Sequence, residues 1–279
     1  MLRPFFISLN YKTMQEKEVI ISLKNVSKVF QGKKTIDNVS FDILKGETFV
    51  IMGCSGSGKS TLLRLMTGIL RPDEGSIFIK GKDISKISHD ELDEVRKTFG
   101  MCFQYSALLD SLTVEENVAL PLKEHTKLAD EIIRIIIKMK LSLVGLRGYE
   151  NYYPSQISGG MRKRVGLARA IALDPDIVFY DEPTSGLDPV VGGVTDKLIK
   201  DLSQKLIITS VVVTHDMQSV FNIADKIIMV HKGEIVEFGT PEQIKNSSNP
   251  YIKQFINGSP VGPIDFFKED IAIEEALGL

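Results

Sequence analysis

The sequence predicts an α/β fold: a strand-rich lobe carrying a phosphate-binding loop, followed by a helical insertion. Three observations point there. Gly53-Cys54-Ser55-Gly56-Ser57-Gly58-Lys59-Ser60 reads G-x-x-x-x-G-K-S between an apolar run, Thr48–Met52, and a helical pattern from Thr61. A second apolar run, Ile177–Tyr180, ends in two carboxylates, Asp181 and Glu182. Between these segments the periodicity changes from strand-like to helical, and the helical block spans Val114 to Ala172.

In chain order, residues 1–18 form a weakly patterned arm. Met14 is a plausible alternative start, so no function is assigned to residues 1–13. Strands are expected at Val19–Val29, Ser40–Ile43, Thr48–Met52, Ser76–Lys80 and Phe99–Gln104, punctuated by Gly32, Gly46, Gly75 and Gly81. In the helical block, Pro121, Gly145, Gly148 and Pro154 are expected to break helices. Ser158-Gly159-Gly160 opens an amphipathic helix from Arg162 to Leu173. After Glu182 come a helix near Val190–Gln204, a β-branched strand at Ile207–Thr214 and a helix at Met217–Ala224. A hairpin follows, pairing Ile227–Val230 with Glu234–Phe238 around Lys232-Gly233.

The 279 residues suffice for a sizeable core, and 43% hydrophobic with 25% charged residues is an ordinary globular balance. A net charge of −2 gives no electrostatic case for a nucleic-acid partner. The two cysteines, Cys54 and Cys102, show no metal-type spacing and suit a reducing compartment. No run approaches the roughly 18–20 apolar residues of a membrane helix. The first residues lack the long apolar region of a signal peptide, so any membrane role is expected to come through a partner.

The chemistry expected of the motifs is specific. Glycines in the loop let backbone N–H groups converge on phosphate oxygens at a helix N-terminus. Lys59 can reach the β- and γ-phosphates, and Ser60 can ligate Mg²⁺. Asp181 can hold the same ion, usually through water. Glu182 is placed to orient and deprotonate an attacking water. Cys54, beside Lys59 in an anion-binding loop, is expected to be a reactive thiol.

Taken together, the P-loop, Ser158-Gly159-Gly160 and the Asp181-Glu182 strand resemble the ATP-binding-cassette (ABC) ATPases, over about Val19 to Gly258. The usual signature of that family is L-S-G-G-Q; here Ile157 replaces Leu and Met161 replaces Gln. The resemblance implies the ABC-ATPase fold: a P-loop NTPase core with a β-rich lobe and a helical subdomain, roughly residues 105–172. It implies ATP and Mg²⁺, with Gly53 to Thr61 around the phosphates and Phe30 stacked on adenine. Gln104 becomes the glutamine that touches Mg²⁺ or the lytic water and senses a membrane partner. His215 becomes the switch histidine at the γ-phosphate, and Ser185-Gly186-Leu187-Asp188 the loop joining two ATP sites. Ser158, Gly159 and Gly160 would close over ATP held by a second copy, in a head-to-tail dimer.

Three further stretches resemble the cassettes of the Mla and MCE lipid transporters: Tyr105–Val118, Pro121–Thr126 and Leu143–Gly148. Met161 and the tail Phe255–Gly258 with Gly262-Pro263 fit the same group. That resemblance implies phospholipid transport between envelope membranes. The partners would be an integral membrane permease, an MCE-domain lipid-binding protein and a STAS-domain regulator. The chain would sit peripherally on the cytoplasmic face of the inner membrane. A small-solute importer cassette shares every catalytic motif and remains the alternative, ahead of a soluble non-transport ABC ATPase. The apolar residues Leu108, Leu109 and Leu112 are expected to face the membrane partner. Residues 259–279, containing Phe266 and Phe267, are expected to form an extended arm for subunit contact.

Overall fold

The computed structural model describes residues 18–265. Two sheets form its frame. In the first, β1 (Val19–Phe30) and β2 (Lys33–Leu44) make a long antiparallel pair, extended by strands that follow later in the chain. The second is built on β3 (Thr48–Met52), every residue of which is buried. After β3 the P-loop turns into α1 (Lys59–Met66), and β4 (Glu74–Ile79) and β5 (Lys82–Asp83) return to the first sheet in the order β2-β1-β4-β5.

A short helix, α2 (His89–Arg96), precedes β6 (Phe99–Cys102). Ser88 caps α2 in a reciprocal box with Glu91. The helical block contains α3 (Val114–His125), α4 (Asp130–Leu143), a 3₁₀ turn at Pro154–Gln156 and α5 (Gly159–Ala170). Next come β7 (Ile177–Asp181), α6 (Pro189–Leu206), β8 (Thr209–Val213), α7 (Met217–Ile223), β9 (Lys226–His231) and β10 (Glu234–Gly239). Two short helices, α8 (Pro241–Lys245) and α9 (Pro250–Asn257), complete the described elements. The second sheet has the order β10-β9-β3-β8-β7-β6, with β6, β7, β8, β3 and β9 parallel.

Strand alternation divides the interior into two cores. Even-numbered Val50, Met52, Val178, Tyr180 and Val212 join the core under α3, α4 and α5. Odd-numbered Phe49, Ile51, Ile177, Phe179, Val211 and Val213 face α1 and the antiparallel sheet. A parallel sheet covered on both faces needs near-continuous apolar strands, which is why these runs show little polar alternation.

Pro121 does not break its helix. It forfeits one backbone bond inside α3. Val118, Ala119 and Leu122 around it are buried, and a capping box between Thr113 and Glu116 secures the helix start. Of the other expected breakers, Gly145 and Gly148 fall after α4, while Pro154 opens the 3₁₀ turn that precedes α5.

Residues 259–265 carry no helix or strand, yet they turn back onto the core. Ile264 is buried, and the side-chain amide of Gln254 donates to its carbonyl at 3.0 Å while accepting from its N–H. Phe266 and Phe267 lie outside the described residues.

Candidate active site

Register explains why the motifs meet. Ile51 pairs with Val213, and Val213 with Asp181, across three neighbouring parallel strands. Cys102 pairs with Tyr180 on the next. The P-loop, His215, Asp181-Glu182 and Gln104 therefore leave the same, carboxyl-terminal edge of one sheet. That edge is where ligands bind in open α/β sheets.

The P-loop owes its path to residues without a Cβ. Gly53 has φ +149°, and a Cβ there would stand 2.2 Å from the Val230 carbonyl oxygen. Gly58 has φ +112°, and a Cβ there would stand 2.8 Å from Ile36 Cδ1 and 2.9 Å from the Thr35 carbonyl oxygen. The tip of the β9–β10 hairpin braces the loop, with Gly233 N–H donating to the Ser57 carbonyl at 3.0 Å. Lys59 folds across the loop and donates to the carbonyls of Gly53 (2.7 Å) and Cys54 (2.8 Å). Burial pushes its ammonium pKa down, against the field of Glu182 and Asp181. Ser55, Gly56 and Ser60 are exposed and Thr61 is half-buried. The buried Ser57 hydroxyl has no hydrogen-bond partner among the described residues.

Cys54 departs from expectation. It is buried, and desolvation raises its thiol pKa despite the opposing charge of Lys59. The positive field favours thiolate less than the dry surroundings disfavour it.

Asp181 and Glu182 differ in environment. Burial, then the neighbouring Glu182 charge, raises the Asp181 pKa; Arg64 and Lys59 oppose the shift. Glu182 follows with φ +48°, a left-handed conformation uncommon for a non-glycine residue. Its N–H donates to the Val213 carbonyl at 2.9 Å, its Oε1 lies 2.8 Å from His215 Nδ1, and its Oε2 accepts from Thr214 Oγ1 at 3.3 Å. The Glu182 side chain is 13% exposed and that of His215 60%, so the pair has one sheltered and one open member.

Gln104 lies two residues past β6, and its Nε2 donates to Ser185 Oγ at 3.3 Å. Phe30 is 42% exposed at the end of β1, with Lys28 Nζ 5.6 Å from its ring centroid, so it is not a core side chain. Ser158 caps α5 by accepting from the Met161 N–H at 3.2 Å; it does not bond the P-loop of its own chain. A Cβ on Gly160 would stand 2.7 Å from Val191, which fixes the α5 start against α6. Of the three leucines, Leu109 is exposed while Leu108 and Leu112 are half-buried.

Two site residues escaped the sequence reading. Lys163 on α5 donates to the backbone of the Glu182–Ser185 turn. Arg169, six residues further along α5, donates to the carbonyls of Ala107 (2.7 Å) and Ser106 (2.6 Å). Their partners are main-chain carbonyls, which no residue pattern in the sequence marks.

The donor set suits a nucleotide with a hard cation. Among the described residues Lys59 hydrogen-bonds only main-chain carbonyls and the Ser57 hydroxyl has no partner, and Ser60, Gln104 and Asp181 offer one hydroxyl, one amide and one carboxylate. Mg²⁺ takes few protein oxygens and completes its shell with water and phosphate. Among the described residues no group of three or more His, Cys, Asp or Glu could hold a metal by itself. None of the described helices is long and apolar enough to cross a membrane.

A family model described as ABC transporter matches residues 36–185. The intermembrane phospholipid transport system ATP-binding protein MlaF of Haemophilus influenzae is 44% identical over 247 residues, covering 88% of this chain and 94% of that protein. The probable ribonucleotide transport ATP-binding protein mkl of Mycobacterium leprae is 44% identical over 251 residues, covering 90% and 72%. Among solved structures, a dimeric ATP-binding cassette in a post-hydrolysis state, bound to ADP and phosphate, superposes with a TM-score of 0.73 at 34% identity. It covers 80% of this chain and 99% of that one.

Proposed function

This chain belongs to the ABC transporter family and is an ATPase of the ABC-cassette fold; we propose that the work it powers is phospholipid movement between the membranes of an envelope. The observation that carries the catalytic assignment is the meeting of Lys59, Asp181, Glu182 and His215 at one sheet edge. Lys59 holds the terminal phosphates, and turning from the Gly53 and Cys54 carbonyls to phosphate oxygens gives its ammonium a charged partner. Ser60, Gln104 and Asp181 would hold Mg²⁺, which supplies charge neutralisation at the transferring phosphoryl group. Glu182 accepts a proton from the attacking water at Oε1, the atom now beside His215. His215 holds that carboxylate in place and, being open to solvent, is able to turn toward the γ-phosphate. Phe30 offers an exposed ring to adenine.

Chemistry of this kind is almost entirely positioning and electrostatics, so water exclusion matters. Ser158, Gly159 and Gly160 do not reach the P-loop of their own chain, which favours their closing over ATP held by a second copy. The dimeric cassette among the solved relatives supports pairing of two copies. We take the partners to be an integral membrane permease, an MCE-domain lipid-binding protein and a STAS-domain regulator, on the cytoplasmic face of the inner membrane.

Lipid as cargo rests on the MlaF relationship and the stretches from Tyr105 to Gly148, since the cassette itself touches no cargo. The equal identity to mkl favours a second reading, a cassette serving a smaller, water-soluble solute. Purification of the tagged chain from detergent-solubilised membranes separates them. Co-purification of a permease with a lipid-binding MCE-domain protein, and ATP-dependent transfer of labelled phospholipid between vesicles by that complex, support the lipid reading. A permease with a soluble solute-binding protein, and no lipid transfer, would replace it.

A further inference from the structure

The strongest feature left unexplained by these assignments is a cation with no anion. Lys163 is half-buried near the start of α5, three residues after Gly160. Its Nζ donates to the carbonyls of Glu182 (3.4 Å), Pro183 (2.9 Å) and Ser185. An ammonium has three N–H donors and no acceptor. Here each donor has a main-chain carbonyl, and among the described residues no carboxylate pairs with it. The three carbonyls belong to the single turn that starts at Glu182, where the backbone is held at φ +48°. Such a conformation persists only where its surroundings over-determine it. The same turn presents Ser185 Oγ to Gln104 Nε2.

We propose that Lys163 is a positioning residue for hydrolysis, tying the Ser158-Gly159-Gly160 helix to the turn that aims the Glu182 carboxylate. It touches no substrate atom. It rests on the assignment of Glu182 as base, and it adds a route by which displacement of α5 is felt at that carboxylate. The geometry of α5 supports the route: Gly160 abuts Val191, Lys163 grips the Glu182–Ser185 turn, and Arg169 grips Ser106 and Ala107, both at positive φ. One rigid helix thus holds the loops on both sides of the Gln104–Ser185 bond. Burial also lowers the Lys163 pKa while Glu182 opposes the shift, as expected of a desolvated cation near that carboxylate.

The test measures ATP hydrolysis and nucleotide binding on the full-length chain carrying K163M, K163R, E182Q and the K163M/E182Q pair. K163M is expected to lower kcat about 10–100-fold, the scale of a misplaced catalytic group, with KM and the ATP Kd within about twofold of the parent. K163R, which keeps charge and multiple donors, is expected to recover most of the loss. In the E182Q background K163M is expected to change the residual rate less than twofold, because it acts through that carboxylate. A K163M enzyme with unchanged kcat, a parallel loss of nucleotide affinity, or full additivity with E182Q would each overturn the proposal. If K163M does not yield folded, ATP-binding protein, K163Q is judged by the same criteria. Near-normal turnover by E182Q would instead remove the assignment of the base itself, whatever the Lys163 variants do.

Discussion

His215 Nδ1 lies 2.8 Å from Glu182 Oε1, and the two residues leave adjacent parallel strands paired through Asp181 and Val213. The open histidine can turn away while the sheltered carboxylate stays, because Thr214 also holds Glu182. His215→Ala should therefore lower kcat by about 10²-fold or more, the lower end for a lost acid–base partner. ATP affinity should change far less. A variant whose turnover matches the parent in a phosphate-release assay would exclude His215 from the chemistry.

Gly53→Ala should abolish nucleotide binding rather than slow turnover. Its added Cβ would meet the Val230 carbonyl oxygen at 2.2 Å, a backbone atom unable to retreat alone. Equilibrium binding of a fluorescent ATP analogue checks this, and near-normal affinity would show that the loop tolerates the shift.

Cys54 should alkylate slowly at neutral pH. Its thiol pKa is raised above the ordinary 9.0 by burial, so the thiolate fraction at pH 7 falls below that of a free cysteine. The labelling rate should keep climbing as pH passes through and beyond that value. Because desolvation pushes the half-buried Cys102 up further, to about 12, the two sites should separate by mass spectrometry of labelled peptides. Fast labelling of Cys54 at pH 7 would mean that the Lys59 field outweighs desolvation.

Ile264 ties the segment after α9 to the helical core. Ile264→Ala should cost about 2–5 kcal/mol, the usual range for emptying a buried aliphatic site. Truncation after Gly258 removes the same contact, so any loss of subunit pairing must be compared with Ile264→Ala in denaturant unfolding. Equal effects of the two changes on pairing would assign the loss to stability and leave no separate contact role for residues 265–279.

The catalytic edge was legible because its motifs lie within single segments: a P-loop after the buried Thr48–Met52 strand, and paired carboxylates after Ile177–Tyr180. Gln104 and His215 were readable only through family resemblance, since a glutamine or histidine after a strand carries no chemistry alone. Lys163 was illegible for a different reason. Its partners are main-chain carbonyls some twenty residues away, and carbonyls leave no trace in sequence. α2 was missed because its eight residues contain only two buried apolar side chains, too few to show a period. Pro121 misled because local breaking was outweighed by packing on both sides of it. Cys54 misled because a neighbouring charge is visible in sequence while burial is not.

Glu182 is the base we propose for ATP hydrolysis. Its most direct test is single-turnover phosphate release by Glu182→Gln beside the parent, with nucleotide occupancy measured in the same samples. We predict that the variant binds ATP as tightly as the parent and releases phosphate at least about 10²-fold more slowly, the minimum expected for a lost general base. Phosphate release within a few-fold of the parent, at equal occupancy, would contradict it.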